Sequence, residues 1–253
     1  MHPVTINVLP RLFALVPCAG VGERASAGGP KQYAPLAGQA MVAHTLAALG
    51  RVPRLSATLV VLAPQDAQFE CHLPGFENER HWVARCGGDS RAESVANGLD
   101  ELLARGAQPH DWVLVHDAAR CLLRPQWVER LIDACLDDEV GGLLALPMAD
   151  TLKQASSGQV TGEQVTGDQN SADRIAATLP RHAMWAAQTP QMFRLGLLRP
   201  ALAHAGDGVT DESSAVEALG HAPLLVRGEV ENFKLTYPGD FALAERLLRT
   251  SAP

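Results

Sequence analysis

The sequence has no C-x-x-C pair, no excess of basic residues and no long uninterrupted apolar run. Its five cysteines (Cys18, Cys71, Cys86, Cys121, Cys135) are odd in number and lack metal-ligand spacing. This fits a reduced cytoplasm and speaks against a zinc site. The net charge of −7 disfavours nucleic acid as a partner, so a phosphorylated substrate needs a locally basic cleft. No stretch approaches the roughly 20 apolar residues of a membrane helix, and no membrane partner is expected. The opening MHPVTINVLPRLF lacks the charged start and apolar core of a signal peptide, so a cytoplasmic location is expected. What is present, 253 residues with 47% hydrophobic and 19% charged, suffices for one large α/β domain with an appended element.

The most informative segment is LFALVPCAGVGERASAGGPKQ, residues 12–32. Leu12 to Val16 reads as a buried strand. Beyond it come four glycines (Gly20, Gly22, Gly28, Gly29) and two cations, Arg24 and Lys31. A glycine-rich turn after a strand exposes N–H groups that can wrap a phosphate. Arg adds a planar fork for phosphate oxygens and Lys a point charge. Gly20 to Ala25 also fits the dinucleotide fingerprint G-x-G-x-x-G/A. That motif expects an acid about 20 residues on. Here the first acid after the next strand candidate is Asp66, a spacing far too long, and Pro30 would stop a helix begun at Gly22. No Gly-Lys-Ser/Thr follows, so the loop is not a Walker A motif. An ordinary surface turn with two solvated cations remains the alternative.

Apolar runs alternate with helical patterns. Strands are expected at Leu12 to Val16, Thr58 to Leu62, Trp112 to His116, Gly142 to Pro147 and Leu224 to Val226. Helices are expected at Met41 to Leu49, Arg91 to Arg105, Gln126 to Asp138, Thr210 to Leu219 and Asp240 to Arg249. This alternation implies βαβ units around a parallel sheet, with a ligand beyond the strands' carboxyl ends. The region from Met148 to Gln188 breaks the pattern. It holds the near-repeat QVTGE–QVTGD and polar surroundings that cannot bury enough surface to order themselves. Ser156 to Asp173 is read as a mobile tip on an excursion from the sheet.

Four further constellations stand out. In Gly87-Gly88-Asp89-Ser90-Arg91-Ala92-Glu93-Ser94, Asp89 or Ser90 can cap a helix and Glu93 complete a capping box. In His116-Asp117-Ala118-Ala119-Arg120, Asp117 ends a strand, where it can face a cleft or pair with Arg120. Thr210-Asp211-Glu212 reads as a helix cap. Lys234, in ENFKLT, reads as a surface lysine on an edge strand or as a phosphate ligand.

The loop G-x-G-x-R followed by Pro30-Lys31 resembles the signature of sugar nucleotidyltransferases. Pro30-Lys31-Gln32-Tyr33 looks like the 2-C-methyl-D-erythritol 4-phosphate cytidylyltransferase family of the non-mevalonate isoprenoid pathway. PKQY, GGDSRAES, HDAAR, DT-x-K, QTPQ, TDE and N-x-K occur in that family's order between about Leu12 and Leu247. The resemblance implies a single nucleotidyltransferase domain over residues 1–253: α/β, with a Rossmann-like, mostly parallel sheet, flanking helices and a protruding β-arm. The arm, 148–188, is expected to clasp a second copy as a homodimer.

The implied reaction moves a cytidylyl group from CTP to the polyol phosphate, with Mg²⁺ or another divalent cation. The implied catalytic cations are Arg24, Lys31, Arg181 and Lys234. The nucleotide falls to Pro17, Cys18, Ala19, Gly20, Gly22, Gly88, Asp89, Ser94 and Lys234. The polyol phosphate falls to Asp117, Arg120, Thr151, Arg181, Thr189 and Thr210, with Asp117 as a metal ligand. This chain departs from the family pattern at Cys121, where proline is usual, at Pro180, where an acid is common, and in the QVTG repeat. Another polyol phosphate, such as ribitol 5-phosphate, is the near alternative, and a non-catalytic nucleotide-binding protein the distant one. Seven motifs in order, with all four cations present, favour the enzyme.

Overall fold

The computed structural model describes residues 9–20, 29–156, 174–204 and 209–250. Its strands are β1 Leu12–Cys18, β2 Pro35–Leu36, β3 Gln39–Ala40, β4 Ala57–Leu62, β5 His81–Ala84, β6 Trp112–Val115, β7 Gly141–Pro147, β8 Leu152–Ala155, β9 Ile175–Leu179, β10 Trp185–Arg194 and β11 Leu224–Arg227. The helices are α1 Met41–Gly50, α2 Phe69–His72, α3 Arg91–Ala104, α4 Pro125–Cys135, α5 Leu195–His204, α6 Glu212–Ala218 and α7 Pro238–Thr250. Among the described residues no helix is long and apolar enough to cross a membrane.

Seven strands form the main sheet in the order β11-β7-β10-β6-β1-β4-β5. All neighbours are parallel except β10, which runs antiparallel to both β6 and β7. Strand alternation divides the core. Leu12, Ala14, Val16 and Cys18 of β1 pack on the face covered by α1 and α4. Phe13 and Leu15 pack on the opposite face, under α3, α5 and α6. Both faces are buried, which is why these strands read as continuous apolar runs. α7 covers the β2–β3 hairpin through a smaller cluster including Leu36, Leu235 and Ala244.

The expected elements are present with boundary shifts of a few residues. β10 is the main addition, a central strand that sequence reasoning missed. Its sequence, WAAQTPQMFR, holds an interior proline, which normally argues against a central strand. The register against β7 shifts between Ala187 and Gln191, so Gln188 to Pro190 bulge out of the ladder. Pro190 sits in that bulge, joined to Thr189 by a cis peptide. The excursion also ends earlier than expected. Trp185 to Ala187 already pair with β7 in the main sheet, while β8 and β9 pair into a separate two-stranded arm. The expected mobile tip lies outside the described residues apart from Ser156, whose N–H bonds Arg174 O at 2.7 Å.

α3 lies close against the sheet because Gly98 has no side chain. A Cβ there would come within 2.7 Å of Val61 Cγ2 and 2.8 Å of Leu15 Cδ1. Gly98→Ala would gain about 1 kcal/mol of helix propensity. Overpacking a filled core costs about 1–3 kcal/mol, so the net effect should be destabilising. Urea denaturation should show a lower midpoint at unchanged slope. A raised midpoint would show that Leu15 and Val61 yield freely.

Candidate active site

The loops following β1, β5 and β6 meet at one edge of the sheet, where open α/β sheets place their ligands. A cavity of about 180 Å³ lies there, lined by Arg91, Asp117, Arg120, Thr189, Thr210 and Lys234 among others. The structure therefore gathers five of the residues singled out in sequence: Asp117, Arg120, Thr189, Thr210 and Lys234.

Asp117 lies two residues beyond the end of β6 and is buried. Its Oδ1 accepts from Arg91 Nε at 2.8 Å, and its Oδ2 pairs with Lys234 Nζ at 2.8 Å. Burial alone would raise its pKa. The charges and hydrogen bonds of Arg91 and Lys234 outweigh that and hold the carboxyl far below the usual range. The Asp117–Arg120 pair considered from sequence does not form. Nor does Lys234 sit on an edge strand. It follows a short 3-10 turn, Val230–Asn232, that folds back over the carboxyl edge.

Behind Asp117 stands an ion pair that the sequence did not disclose. Glu212, fully buried at the start of α6, receives Arg91 NH1 at 2.6 Å and NH2 at 3.0 Å. Burial pushes the Glu212 carboxyl up, against the pull of Arg91. α6 itself is capped as expected: Asp211 accepts from Ser214 N at 3.0 Å in a reciprocal capping box.

Arg120 is arranged differently. Its NH1 donates to Asn232 O at 2.7 Å and its NH2 to Ala187 O at 3.3 Å. Its Nε is buried without a partner among the described residues. A guanidinium bonded only to carbonyl oxygens keeps its positive charge uncompensated by a bonded acid. A guanidinium so placed can receive an anion.

A closed hydrogen-bond circuit fixes the HDAAR turn. The N–H of Asp117 donates to Thr189 Oγ1 at 3.0 Å, and Thr189 Oγ1 lies 3.0 Å from His116 Nδ1. His116 Nε2 lies 3.2 Å from the carbonyl of Arg120. A carbonyl can only accept, so Nε2 carries the proton and Nδ1 accepts from the threonine hydroxyl. His116 is fully buried, and burial pushes its pKa down to about 4. Around the β10 bulge, Asn232 Nδ2 donates to Thr189 O at 2.8 Å and Gln188 Nε2 to Glu229 O at 2.9 Å. Gln191 joins the capping residue of α6 through Asp211 Oδ2 at 2.8 Å.

The nucleotide-side residues lie on the neighbouring loops. Ser90 caps α3 by accepting from Glu93 N at 3.0 Å, as expected of a cap. Glu93 Oε2 accepts from Asp89 N at 2.9 Å, and Ser94 Oγ accepts from Gly88 N at 3.1 Å. Both loop amides are thus engaged, so a base meeting this loop would use its carbonyls or displace Glu93. Gly87 permits this loop to touch the end of β1, since a Cβ there would lie 2.2 Å from Ala19 Cβ. Pro17 and Cys18 close β1, and Gly20 is exposed beyond them. The PKQY motif acts as a fastening. Gln32 Nε2 donates to Cys18 O at 2.9 Å, and Tyr33 OH donates to Asp66 Oδ2 at 2.6 Å. This brings Lys31 Nζ onto Leu235 O, beside Lys234. Gly22 and Arg24 lie outside the described residues.

Arg181 and Thr151 are not gathered with the rest. Both are exposed at the base of the arm and do not line the cavity. Arg181 donates to Ala149 O. Ile175, Leu179 and Met184 of the same arm are exposed, an unusual concentration of large apolar side chains on one protrusion.

Among the described residues no three His, Cys, Asp or Glu side chains converge on a metal position. Asp117 offers a single carboxylate, each oxygen of which already has a cationic partner and a second lone pair to give. That donor set fits a Mg²⁺ brought in on substrate phosphates, which needs only one or two protein carboxylates.

A family model, 2-C-methyl-D-erythritol 4-phosphate cytidylyltransferase (IspD), matches residues 12–250. A bifunctional enzyme IspD/IspF of Albidiferax ferrireducens is 58% identical over 244 residues. The match takes in 96% of this chain but 54% of that relative, so the chain spans about half of its length. A 2-C-methyl-D-erythritol 4-phosphate cytidylyltransferase of Burkholderia multivorans is 50% identical over 246 residues, covering 96% of this chain and 98% of the relative. Among solved structures, a 4-diphosphocytidyl-2C-methyl-D-erythritol synthase superposes with TM-score 0.79 at 40% identity, over 95% of this chain and 99% of its own.

The buried neutral imidazole predicts a pH signature. His116 titrates near 4 in the folded chain and near 6.5 when unfolded. The unfolded state therefore binds the extra proton first. The contribution of His116 is complete above about pH 6.5 and is lost as pH falls towards 4, about 3 kcal/mol in all. His116→Asn keeps a donor and an acceptor without a titrating ring. Its urea midpoint should fall less than that of the parent between pH 7 and 4.5. Parallel losses would show that the imidazole is not held neutral.

Proposed function

The chain belongs to the 2-C-methyl-D-erythritol 4-phosphate cytidylyltransferase family, and on that footing we propose the following course for its reaction. A phosphate oxygen of 2-C-methyl-D-erythritol 4-phosphate attacks the α-phosphorus of CTP. The bond to the β-phosphate oxygen breaks, and pyrophosphate leaves with its electron pair. The product is 4-diphosphocytidyl-2-C-methyl-D-erythritol. The observation that carries this reading is the cavity at Arg120, where a guanidinium without a bonded acid, Lys234 and Thr210 meet.

The substrate phosphate needs no general base, because its second pKa is near 6. The obstacle is the approach of two anions and the charge gathering on pyrophosphate. Catalysis is then positioning and electrostatic stabilisation. Arg120, Thr210 and Lys234 hold the incoming phosphate. Lys31 and Arg24 neutralise the triphosphate. Gly88, Asp89 and Ser94 receive the base and ribose, with Pro17 to Gly20 and Gly22 beside the phosphates. A divalent cation on the triphosphate, with Asp117 as its protein ligand, would supply further neutralisation. The free thiols fit a cytoplasmic setting.

The arm is assigned to a homodimer with two-fold symmetry. Exposed Ile175, Leu179 and Met184 supply apolar surface for a second copy. Arg181 and Thr151, which do not line the cavity of their own chain, would contact the polyol phosphate from the arm.

Pyrophosphate release should be measured with CTP against a panel of polyol phosphates. Turnover is expected with 2-C-methyl-D-erythritol 4-phosphate, and at most a trace with ribitol 5-phosphate, ATP or GTP. Preference for ribitol 5-phosphate would reassign the acceptor, and equal use of ATP would remove the base-reading role of the Gly87–Ser94 loop.

The arm has its own test. Sedimentation should give a dimer, and Arg181→Ala should weaken use of the polyol phosphate while leaving CTP binding nearly unchanged. A monomer, or a defect confined to CTP binding, would mean that the arm is misassigned.

A further inference from the structure

Two arginines line one small cavity, and they are not equivalent. The guanidinium edge formed by NH1 and NH2 is the fork that matches a phosphate or carboxylate. In Arg91 that edge is filled, because NH1 and NH2 bind the two oxygens of Glu212 at 2.6 and 3.0 Å. The remaining Nε binds Asp117 at 2.8 Å. In Arg120, among the described residues, no carboxylate is bonded and Nε has no partner. Glu212 is fully buried at the start of α6, so water does not reach its carboxylate.

A buried ion pair is costly to keep, and apolar residues in place of both partners are often no less stable. Its retention beside a phosphate cavity calls for a role. We propose that Glu212 occupies the fork of Arg91 in place of a phosphate, making the two a charge-neutral positioning pair that orients Asp117 and leaves the substrate phosphate to Arg120 and Lys234.

The inference rests on the reading of the cavity as a phosphate site. It assigns to Glu212 a part in specificity, although Glu212 touches no substrate. With both pair members charged, a phosphate finds one productive place. Without the Glu212 charge, the cation of Arg91, which lines the cavity, is left unmatched, and the phosphate gains a second place that is out of line for transfer. Binding then improves as turnover falls, the reverse of what damage to the fold would do.

The test combines calorimetric titration of the intact chain with inorganic phosphate and steady-state kinetics with CTP and 2-C-methyl-D-erythritol 4-phosphate. Glu212→Gln keeps the shape and removes the charge. It should bind inorganic phosphate about tenfold more tightly than the parent, as one unmatched positive charge at short range warrants. Its kcat should fall at least tenfold, with no rise in KM for the polyol phosphate. The double variant Arg91→Gln, Glu212→Gln removes both charges. It should return phosphate affinity to the parental value while kcat stays low, because Asp117 has lost its support. Glu212→Asp keeps the charge and should keep parental phosphate affinity, which also covers the case in which Glu212→Gln fails to fold. If Glu212→Gln binds phosphate no more tightly than the parent, or if Glu212→Asp tightens binding as Gln does, the proposal is overturned. The phosphate titrations need no CTP. An inactive parent chain would overturn the reaction assigned above while leaving the ranking of the variants able to judge the pair.

Discussion

A buried carboxylate held between two cations governs the carboxyl edge of this sheet. Asp117 joins α3, through Arg91, to the segment carrying Lys234, and Arg91 extends the link to α6 through Glu212. Pieces far apart in sequence are drawn to one point by charges that none could bury alone. Desolvation makes the cluster cooperative. Removing one partner leaves another charge unmatched in a poorly solvated place, which costs far more than an exposed pair contributes. The same condition leaves Arg120 distinct, a cation in the same cluster bonded only to carbonyls.

Neutral hydrogen bonds do the remaining positioning. Thr189, His116 and the backbone of Asp117 and Arg120 close a circuit whose proton positions follow from the one group that can only accept. That circuit reaches β10 because the β10 bulge turns Thr189 towards the HDAAR turn. Asn232 bridges the bulge to the turn preceding Lys234. A departure from regular strand geometry is thus what brings the polar side chains of β10 to the site.

The sequence disclosed the parts of the fold that follow from periodicity. β1, β4 and β6 are buried on both faces and read as apolar runs, and α3 and α4 showed their helical patterns. β10 was hidden because Gln188, Pro190 and Gln191 break both apolarity and alternation. Their compensations, a bulge and partners on Glu229 and Asp211, are tertiary and leave no local trace. The site was legible where motifs lie beside strands, as with Asp117 and Arg120. Arg91 and Glu212 had been read within helix-cap motifs, and both caps are real. A cap motif fixes where a helix begins but does not say what its first residues reach. Asp117 and Arg120 sit three apart, and a pair between them looked natural. The structure shows Asp117 taken by partners 26 residues before it and 117 after it, separations at which sequence spacing carries no information.

β7 and β10 are antiparallel neighbours, and the arm is the connection between them. Topologically it is an overgrown hairpin turn. Once the two strands are registered against each other, whatever lies between them is free to change length. The entropy of closing a loop grows only with the logarithm of its size, about 0.6 kcal/mol per doubling. Insertions such as the repeated QVTG are therefore cheap here, whereas one extra residue within β7 or β10 would shift the register of the central sheet. A change of length at the arm's tip leaves the pairing of β7 with β10 as it is. Here a change of length is physically tolerated.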